Sequence, residues 1–197
     1  MRLAIADPPY LGRANRWYGT GRGSSAGRHV ADHHPEAHLW DLADTHRDLV
    51  RRLEDEYDGW AIAAAPDSLP TYLDAVSGPA PRVMIWHRRN APPSGSRVAS
   101  MWEPVILRVP TGRSAIGSGL YVSDVLDAPA PRRNFAGSKP DAWTRWVLDA
   151  LGYVPGTDVL VDIFAGSGAV AAAADGMLPI LAGTPDHTIR SRADNAQ

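Results

Sequence analysis

The sequence predicts a three-layer α/β sandwich, in which a mostly parallel sheet lies between helices. Short apolar runs alternate along the chain with segments of helical periodicity. The chain has 197 residues, 44% of them hydrophobic and 21% charged, which is enough for one domain with a sizeable core. Two apolar runs in the middle of the chain follow each other without a helix between them, which favours an antiparallel pair at an edge of the sheet.

The spacing of apolar residues sets the predicted elements. Apolar runs predict strands at 3–6, 60–65, 83–87, 104–109, 159–164 and 178–182. Spacings of three and four predict helices at 39–57, from 69 to about 76, at 141–151 and from the glycine-rich turn to about 174. The candidate amino-terminal caps are Asp41 or Asp44 for the first helix and Asp67 or Ser68 for the second.

Composition excludes several classes of protein. No cysteine is present, so disulfides and thiolate metal sites are excluded. The histidines and acids at 29–38 match no familiar zinc spacing, and Pro35 interrupts any helix that would align them, so we predict a solvated loop and no metal site. No run is long enough to cross a membrane and the amino terminus has no signal pattern, so the expected location is the cytoplasm.

The charge is unevenly distributed along the chain. The net charge of −2 gives no overall signal for a nucleic-acid partner. Arginines nevertheless concentrate in 11–31 and 82–113, which would permit a basic face toward DNA, although solvated loop arginines explain the pattern almost as well. The arginines are Arg13, Arg16, Arg22 and Arg28 in the first range and Arg82, Arg88, Arg89, Arg97, Arg108 and Arg113 in the second, where Glu103 is the only acid.

The first predicted strand ends in an unusual tetrapeptide, Asp7, Pro8, Pro9 and Tyr10. Two prolines cannot continue a hydrogen-bonded ladder, so the strand stops there on stiff backbone. In an open α/β sheet, ligands bind at the carboxyl ends of the strands. The tetrapeptide offers a carboxylate, rigid carbonyl acceptors and an aromatic ring at that position. A simple strand-ending turn is the alternative.

A second polar strand end is formed by residues 162–168, with the sequence Asp-Ile-Phe-Ala-Gly-Ser-Gly. Glycines let the backbone approach a ligand, and the helix that follows presents free amide groups. The segment lacks the spacing of dinucleotide-binding turns and the lysine of a phosphate-binding loop. An acid followed by this turn better suits a cationic, nucleoside-like ligand, with a close helix–strand crossing as the structural alternative.

Three motifs together resemble a known family. Asp7 to Tyr10 resembles the catalytic motif of DNA amino-methyltransferases, and Asp162 to Gly168 resembles their S-adenosylmethionine (SAM) loop. Gly137 to Pro140, which contains Ser138 and Lys139, resembles their Lys-Pro element. The order of the motifs resembles the circularly permuted β class over most of the chain. The resemblance implies a Rossmann-like methyltransferase with a seven-stranded type of sheet that lacks its outermost strand.

The resemblance also implies roles for these residues. It implies methyl transfer from SAM to the exocyclic amine of a flipped-out base, and the aspartate at the first motif position favours adenine N6. Cytosine N4, RNA or a protein amide remain as alternative targets, as does an inactive methyltransferase fold that binds DNA. The implied catalytic residues are Asp7, Pro8, Pro9 and Tyr10, and the implied cofactor residues are Ser138, Lys139, Asp162, Phe164, Ala165, Gly166, Ser167, Gly168 and Asp186.

The predicted organisation is a single domain over 1–197. Its parts are the catalytic strand and motif at 1–10, a substrate loop at 11–38, a second variable loop at 110–137 and the cofactor-binding part at 138–186. Thr184 stands where relatives carry the acid that binds the ribose, with Asp186 two residues later. No separate target-recognition domain is predicted, so we expect short or relaxed DNA specificity, or a partner that supplies it. A homodimer is left open, and no membrane partner is expected.

Overall fold

A computed structural model describes residues 1–19, 36–91, 97–113, 121–131, 138–165 and 169–176. Several predictions lie outside these residues. They concern the strand at 178–182, the histidine-rich stretch at 29–34, and the site residues Gly166, Ser167, Gly168 and Asp186.

A six-stranded sheet runs through the described residues in the order β5-β3-β4-β2-β1-β6. The strands are β1 (Arg2–Ala6), β2 (Gly59–Ala63), β3 (Arg82–His87), β4 (Trp102–Arg108), β5 (Val125–Asp127) and β6 (Val159–Asp162). β1 pairs in parallel with both β2 and β6, whereas β4 runs antiparallel to both of its neighbours. The predicted mostly parallel sheet with an antiparallel pair is confirmed.

The antiparallel pair lies inside the sheet rather than at its edge. β3 and β4 pair from Arg82 opposite Leu107 to His87 opposite Trp102. On the far side of β3, β5 adds a parallel strand, with Ile85 opposite Val125. β5 was not predicted because its three residues are largely exposed and too few to show a period.

Helices cover both faces of the sheet. They are α1 (Ala14–Tyr18), α2 (Ala43–Glu56), α3 (Leu69–Ala75), α4 (Asp141–Leu151) and α5 (Ala169–Asp175), with 3₁₀ turns at Ala37–Asp41 and Pro66–Ser68. None of the helices in the described ranges is long and apolar enough to cross a membrane.

Ser68 occupies the amino-terminal cap position of α3, as predicted, whereas Leu42 occupies that of α2, so the predicted cap of α2 is wrong. Neither helix has a side-chain hydrogen bond at its amino-terminal cap. Asp41 instead accepts the backbone amides of Ala14 and Asn15, at 2.8 and 3.0 Å, and so caps α1 from a distance in sequence. The Ser68 hydroxyl donates to the Ala65 carbonyl at 2.8 Å.

Successive side chains of a strand point to opposite faces of the sheet, and the buried ones form two cores, one on each face. On one face, Leu3 and Ile5 pack with α4, and on the other Ala4 and Ala6 pack with α2. All four of these β1 residues are buried, as expected for a parallel strand that is covered on both faces. The two cores confirm the predicted three-layer sandwich.

Parallel pairing brings the carboxyl ends of several strands to the same side of the sheet, which we call the Asp7 edge. β1 and β6 both end there, and so do β2 and β3. Because β4 runs in the opposite direction, it begins at this edge, where the Arg88 amide donates to the Met101 carbonyl at 2.7 Å. This is the edge at which open α/β sheets bind ligands.

Asp158, at the opposite edge, joins several distant segments. Its side chain is buried and accepts hydrogen bonds from Arg113, the Met1 amino group and the Val154 amide, each at 2.8 Å. Burial alone would raise the pKa of Asp158, but these hydrogen bonds hold the pKa well below its usual range.

Asp158→Asn should lower the free energy of unfolding by about 3 kcal/mol, because Arg113 would lose its buried counter-charge. The depressed pKa adds stability that is complete above the unfolded pKa of about 4 and is lost as the pH falls toward the folded value. Urea denaturation at about pH 6 and about pH 3 should therefore show a smaller acid-induced loss of stability in the variant.

The matched control is Asp44→Asn, which removes an exposed pair with Arg47. Its expected cost is below about 0.5 kcal/mol at either pH. Equal acid sensitivity of Asp158→Asn and the parent protein would contradict the role given to this carboxylate.

Candidate functional site

The two predicted motifs lie at the carboxyl ends of neighbouring strands. β1 and β6 pair with Ile5 opposite Asp162, and the Ile163 amide donates to the Ile5 carbonyl at 2.9 Å. Asp7 lies two residues beyond Ile5, so both carboxylates stand at the same edge of the sheet. Burial raises the pKa of Asp162, the Phe164 amide opposes this, and the charge of Asp7 raises the pKa further.

Lys139 lies against the predicted catalytic carboxylate. Its Nζ donates to both Oδ1 and Oδ2 of Asp7 at 2.8 Å, and only 7% of its side chain is exposed. The resemblance implied a cofactor-binding role for this lysine, which stays a prediction. These contacts connect the lysine at the start of α4 directly to the end of β1.

Lys139 and Asp7 each favour the charged form of the other. Burial would lower the pKa of Lys139, but the negative charges of Asp7 and Glu103 raise it overall, so the amine stays protonated. Burial raises the pKa of Asp7, and Lys139 opposes that rise. One ammonium on both oxygens of one carboxylate is the geometry of a charge-assisted ion pair.

The Tyr10 hydroxyl is held on both sides. It accepts a hydrogen bond from Lys139 Nζ at 3.1 Å and donates one to Glu103 Oε2 at 2.6 Å. Burial, with the charges of Glu103 and Asp7, raises the pKa of Tyr10 well above its usual range, so the phenol stays neutral. Lys139 also lies 5.3 Å from the centre of the Tyr10 ring.

Glu103, on β4, was not among the predicted site residues. Arg88 Nη1 contacts its Oε1 at 2.9 Å, and the two side chains are 22% and 13% exposed. Lys139 Nζ lies 3.7 Å from Oε2. The one available signal was that Glu103 is the only acid within an arginine-rich stretch.

Phe164 is supported by an aromatic group that the sequence analysis did not identify. The Trp40 ring meets Phe164 edge-on at 5.0 Å and meets His46 at 5.3 Å. His46 Nε2 lies 2.7 Å from the Trp40 carbonyl, and Nδ1 lies 2.6 Å from the Tyr72 hydroxyl. A carbonyl only accepts, so Nε2 carries the proton and Nδ1 accepts from Tyr72. Burial lowers the pKa of His46, which favours this neutral form.

The remaining predicted residues differ in exposure. Pro8 is buried, Pro9 and Ser138 are half-buried, and Ala165 is exposed. Hydrogen bonds from Lys139 connect Asp7 and Tyr10. Asp162 lies at the same edge because its strand, β6, pairs with β1.

The arginines of 82–113 do not form one basic face. Arg88 and Arg89 lie at the Asp7 edge, while Arg82, Arg108 and Arg113 lie at the opposite edge. Within the two arginine-rich ranges, many of the described arginines are also paired with acids. These pairs are Arg13–Asp67, Arg88–Glu103, Arg89–Asp127, Arg108–Glu54 and Arg113–Asp158.

A cavity of about 820 Å³ opens at the opposite edge, between β3, β4 and the end of α4. Met84, Leu107 and Tyr153 contribute to its lining, and no predicted site residue does. Since ligands of open α/β sheets bind at the carboxyl ends of the parallel strands, we assign the candidate site to the Asp7 edge.

No protein-family model matches this chain, and no curated protein matches it by sequence. Several solved structures are similar in fold, and two of them are compared with this chain. A crystal structure of M1.HpyAVI in complex with SAM is 14% identical with a TM-score of 0.55, covering 88% of this chain and 76% of that chain. The structure of TTHA0409 from Thermus thermophilus, a proposed DNA modification methylase, is 18% identical with a TM-score of 0.51, covering 88% of this chain and 75% of that chain. The chain therefore has the Rossmann-like fold of these two structures.

Proposed function

We propose that this protein transfers a methyl group from SAM to the exocyclic amine of a base in DNA, with adenine N6 as the favoured target. The observation that carries the proposal is the meeting of two motif-bearing strand ends, Asp7 on β1 and Asp162 on β6, at one edge of the sheet. The fold supports it, because M1.HpyAVI, which has the same fold, was crystallised with SAM.

Asp7 and Pro8 would activate the amine. The lone pair of an exocyclic amine is delocalised into the base, which makes the nitrogen a weak nucleophile. Hydrogen bonds from the amine to the Asp7 carboxylate and the Pro8 carbonyl would draw that lone pair back to the nitrogen and orient it. The buried Pro8 and the stiff proline pair hold both acceptors in place.

The residues after β6 fit a cationic nucleoside. Asp162 supplies a half-buried carboxylate, and Phe164 supplies an aromatic surface braced by Trp40. SAM bound here would supply an electrophilic methyl group on a sulfonium. Asp162 would bind the positive end of SAM, and Phe164 with Ala165 and the glycine turn at 166–168 would line its nucleoside. Ser138 and Asp186 remain candidate cofactor residues.

DNA would approach the same edge. An amine inside a duplex is reached by flipping the base out of the stack. Arg88 and Arg89, which follow β3 at this edge, would lie near the DNA backbone. The segments at 11–38 and 110–137, which include α1 and β5, adjoin the motifs at 7–10 and 137–140 in sequence and would contribute to DNA binding.

One observation favours a second candidate function, a methyltransferase fold that binds DNA without transferring a methyl group. Lys139 donates to both oxygens of Asp7 and so weakens the carboxylate as an acceptor for the amine. A protein without transferase activity would keep this ion pair as a permanent structural contact, whereas an enzyme would gain acceptor strength by loosening it.

Asp7→Asn should reduce methyl transfer on the order of 100-fold, because the amide is a weaker acceptor than the carboxylate. The assay uses labelled SAM and unmethylated DNA, followed by digestion to nucleosides. It separates N6-methyladenine from N4-methylcytosine, and a parallel reaction with RNA tests that substrate.

The control for this experiment is Asp74→Asn, an exposed carboxylate on α3, which should leave transfer unchanged. Full activity of Asp7→Asn would refute the role of Asp7. Absence of any methylated nucleoside with the parent protein, in the presence of DNA binding, would favour the second candidate function.

Asp162→Asn should weaken SAM binding by roughly tenfold or more, because hydrogen bonds to charged groups contribute about 1.5–3 kcal/mol. Calorimetry with SAM and with S-adenosylhomocysteine, which lacks the sulfonium charge, locates the contact. A larger loss of affinity for SAM than for S-adenosylhomocysteine would place Asp162 near the sulfonium. Equal losses of affinity for the two ligands would place Asp162 near their amino-acid end. Unchanged affinity for both ligands would contradict a cofactor role.

A further inference from the structure

We propose that Glu103 is a positioning residue that takes the Lys139 ammonium from Asp7 when the target amine enters the site. This inference rests on the proposed function and adds to it a residue that neither the motifs nor the fold likeness identifies. Glu103 would act through Lys139 and would not touch the base.

Lys139 weakens Asp7 as a hydrogen-bond acceptor. Its Nζ lies 2.8 Å from each carboxylate oxygen, so the ammonium takes one acceptor position on each oxygen and offsets the negative charge that would attract the incoming amine. Movement of the ammonium away from Asp7 would restore the full acceptor strength of the carboxylate. The Lys139 side chain is only 7% exposed, so its ammonium cannot simply turn into bulk water.

Glu103 is a second carboxylate within reach of the Lys139 ammonium. Glu103 Oε2 lies 3.7 Å from Lys139 Nζ, and a charge-assisted hydrogen bond needs a separation of about 2.8 Å, so a shift of about 1 Å would form one. The ammonium would remain next to a carboxylate in both positions. Its charge would therefore stay compensated throughout the exchange.

Other contacts fix the Glu103 carboxylate in place. It accepts hydrogen bonds from Arg88 at 2.9 Å and from the Tyr10 hydroxyl at 2.6 Å, and it is 13% exposed. The carboxylate is therefore a fixed acceptor beside the Lys139 ammonium. Tyr10 bridges the two positions, since its hydroxyl also accepts from Lys139 at 3.1 Å.

A comparable pair elsewhere shows what a purely structural arrangement looks like. Arg108 and Glu54 lie 2.9 Å apart near the other end of β4, and Glu54 is also 13% exposed. Glu54 also accepts hydrogen bonds from the backbone amide and the hydroxyl of Ser77. Glu103 differs in having a second cation within 4 Å that is shared with the proposed catalytic carboxylate.

The sequence permits a direct test, because Lys139 is the only lysine in the chain. The full chain labelled with [15N]lysine has a single side-chain ammonium signal in NMR spectra. Adding S-adenosylhomocysteine and unmethylated DNA should shift this signal in the parent protein as the ammonium changes partner.

Glu103→Gln keeps an oxygen for Tyr10 but removes the negative charge, so Lys139 should stay on Asp7. The ammonium signal should then remain near its DNA-free position, and KM for DNA should rise by about tenfold with SAM affinity unchanged. Glu54→Gln should behave like the parent protein in both measurements. In a Lys139→Met background, Glu103→Gln should change DNA affinity less than twofold.

An unshifted lysine signal in the parent protein, or the same shift in Glu103→Gln, would overturn the role of Glu103 while leaving the methyltransferase proposal intact. Absence of methylated nucleosides with the parent protein would overturn both. Should Glu103→Gln fail to fold, Glu103→Asp keeps the charge and withdraws the carboxylate by one methylene. That variant should raise KM for DNA in the same direction, and an unchanged KM would contradict the proposal.

Discussion

The parallel pairing of β1 between β2 and β6 is the constraint on which the rest of the structure depends. Leu3 to Ala6 are buried on both faces, so a slip by one residue would exchange the two faces and lose both cores. With the register held, the end of β1 must lie beside the end of β6. The site therefore follows from the packing of a strand that contributes no catalytic side chain within its own length.

Charges of alternating sign line that edge of the sheet. Asp7, Lys139, Glu103 and Arg88 follow one another through contacts of 2.8, 3.7 and 2.9 Å. Each charge has an opposite neighbour, which offsets the cost of burying ionised groups. The arrangement also gives the single lysine two acidic neighbours, and a group with two neighbouring acceptors can move between them at lower cost than one that must enter water.

The two ends of the sheet have different chemistry. Asp158 at one end accepts several hydrogen bonds and holds the segments around Met1, Arg113 and Val154 together. At the other end, polar side chains stand beside the strand ends that carry Asp7 and Asp162, and this is where the proposed reaction takes place. The arginines divide between the two ends, so their density in sequence did not predict a single basic face.

The sequence by itself determined the layers, the buried strands and the two polar strand ends, because apolar periodicity, prolines and glycines act over a few residues. It also contained the lysine and the tyrosine of the site, although not their contacts. Only the tertiary structure decided that β5 is an outer strand of the sheet, that Asp41 caps α1 and that Trp40 packs against Phe164. It alone placed Glu103 within reach of Lys139. Such contacts join residues far apart in the chain, and they are set by the order and direction of strands, which no local pattern encodes.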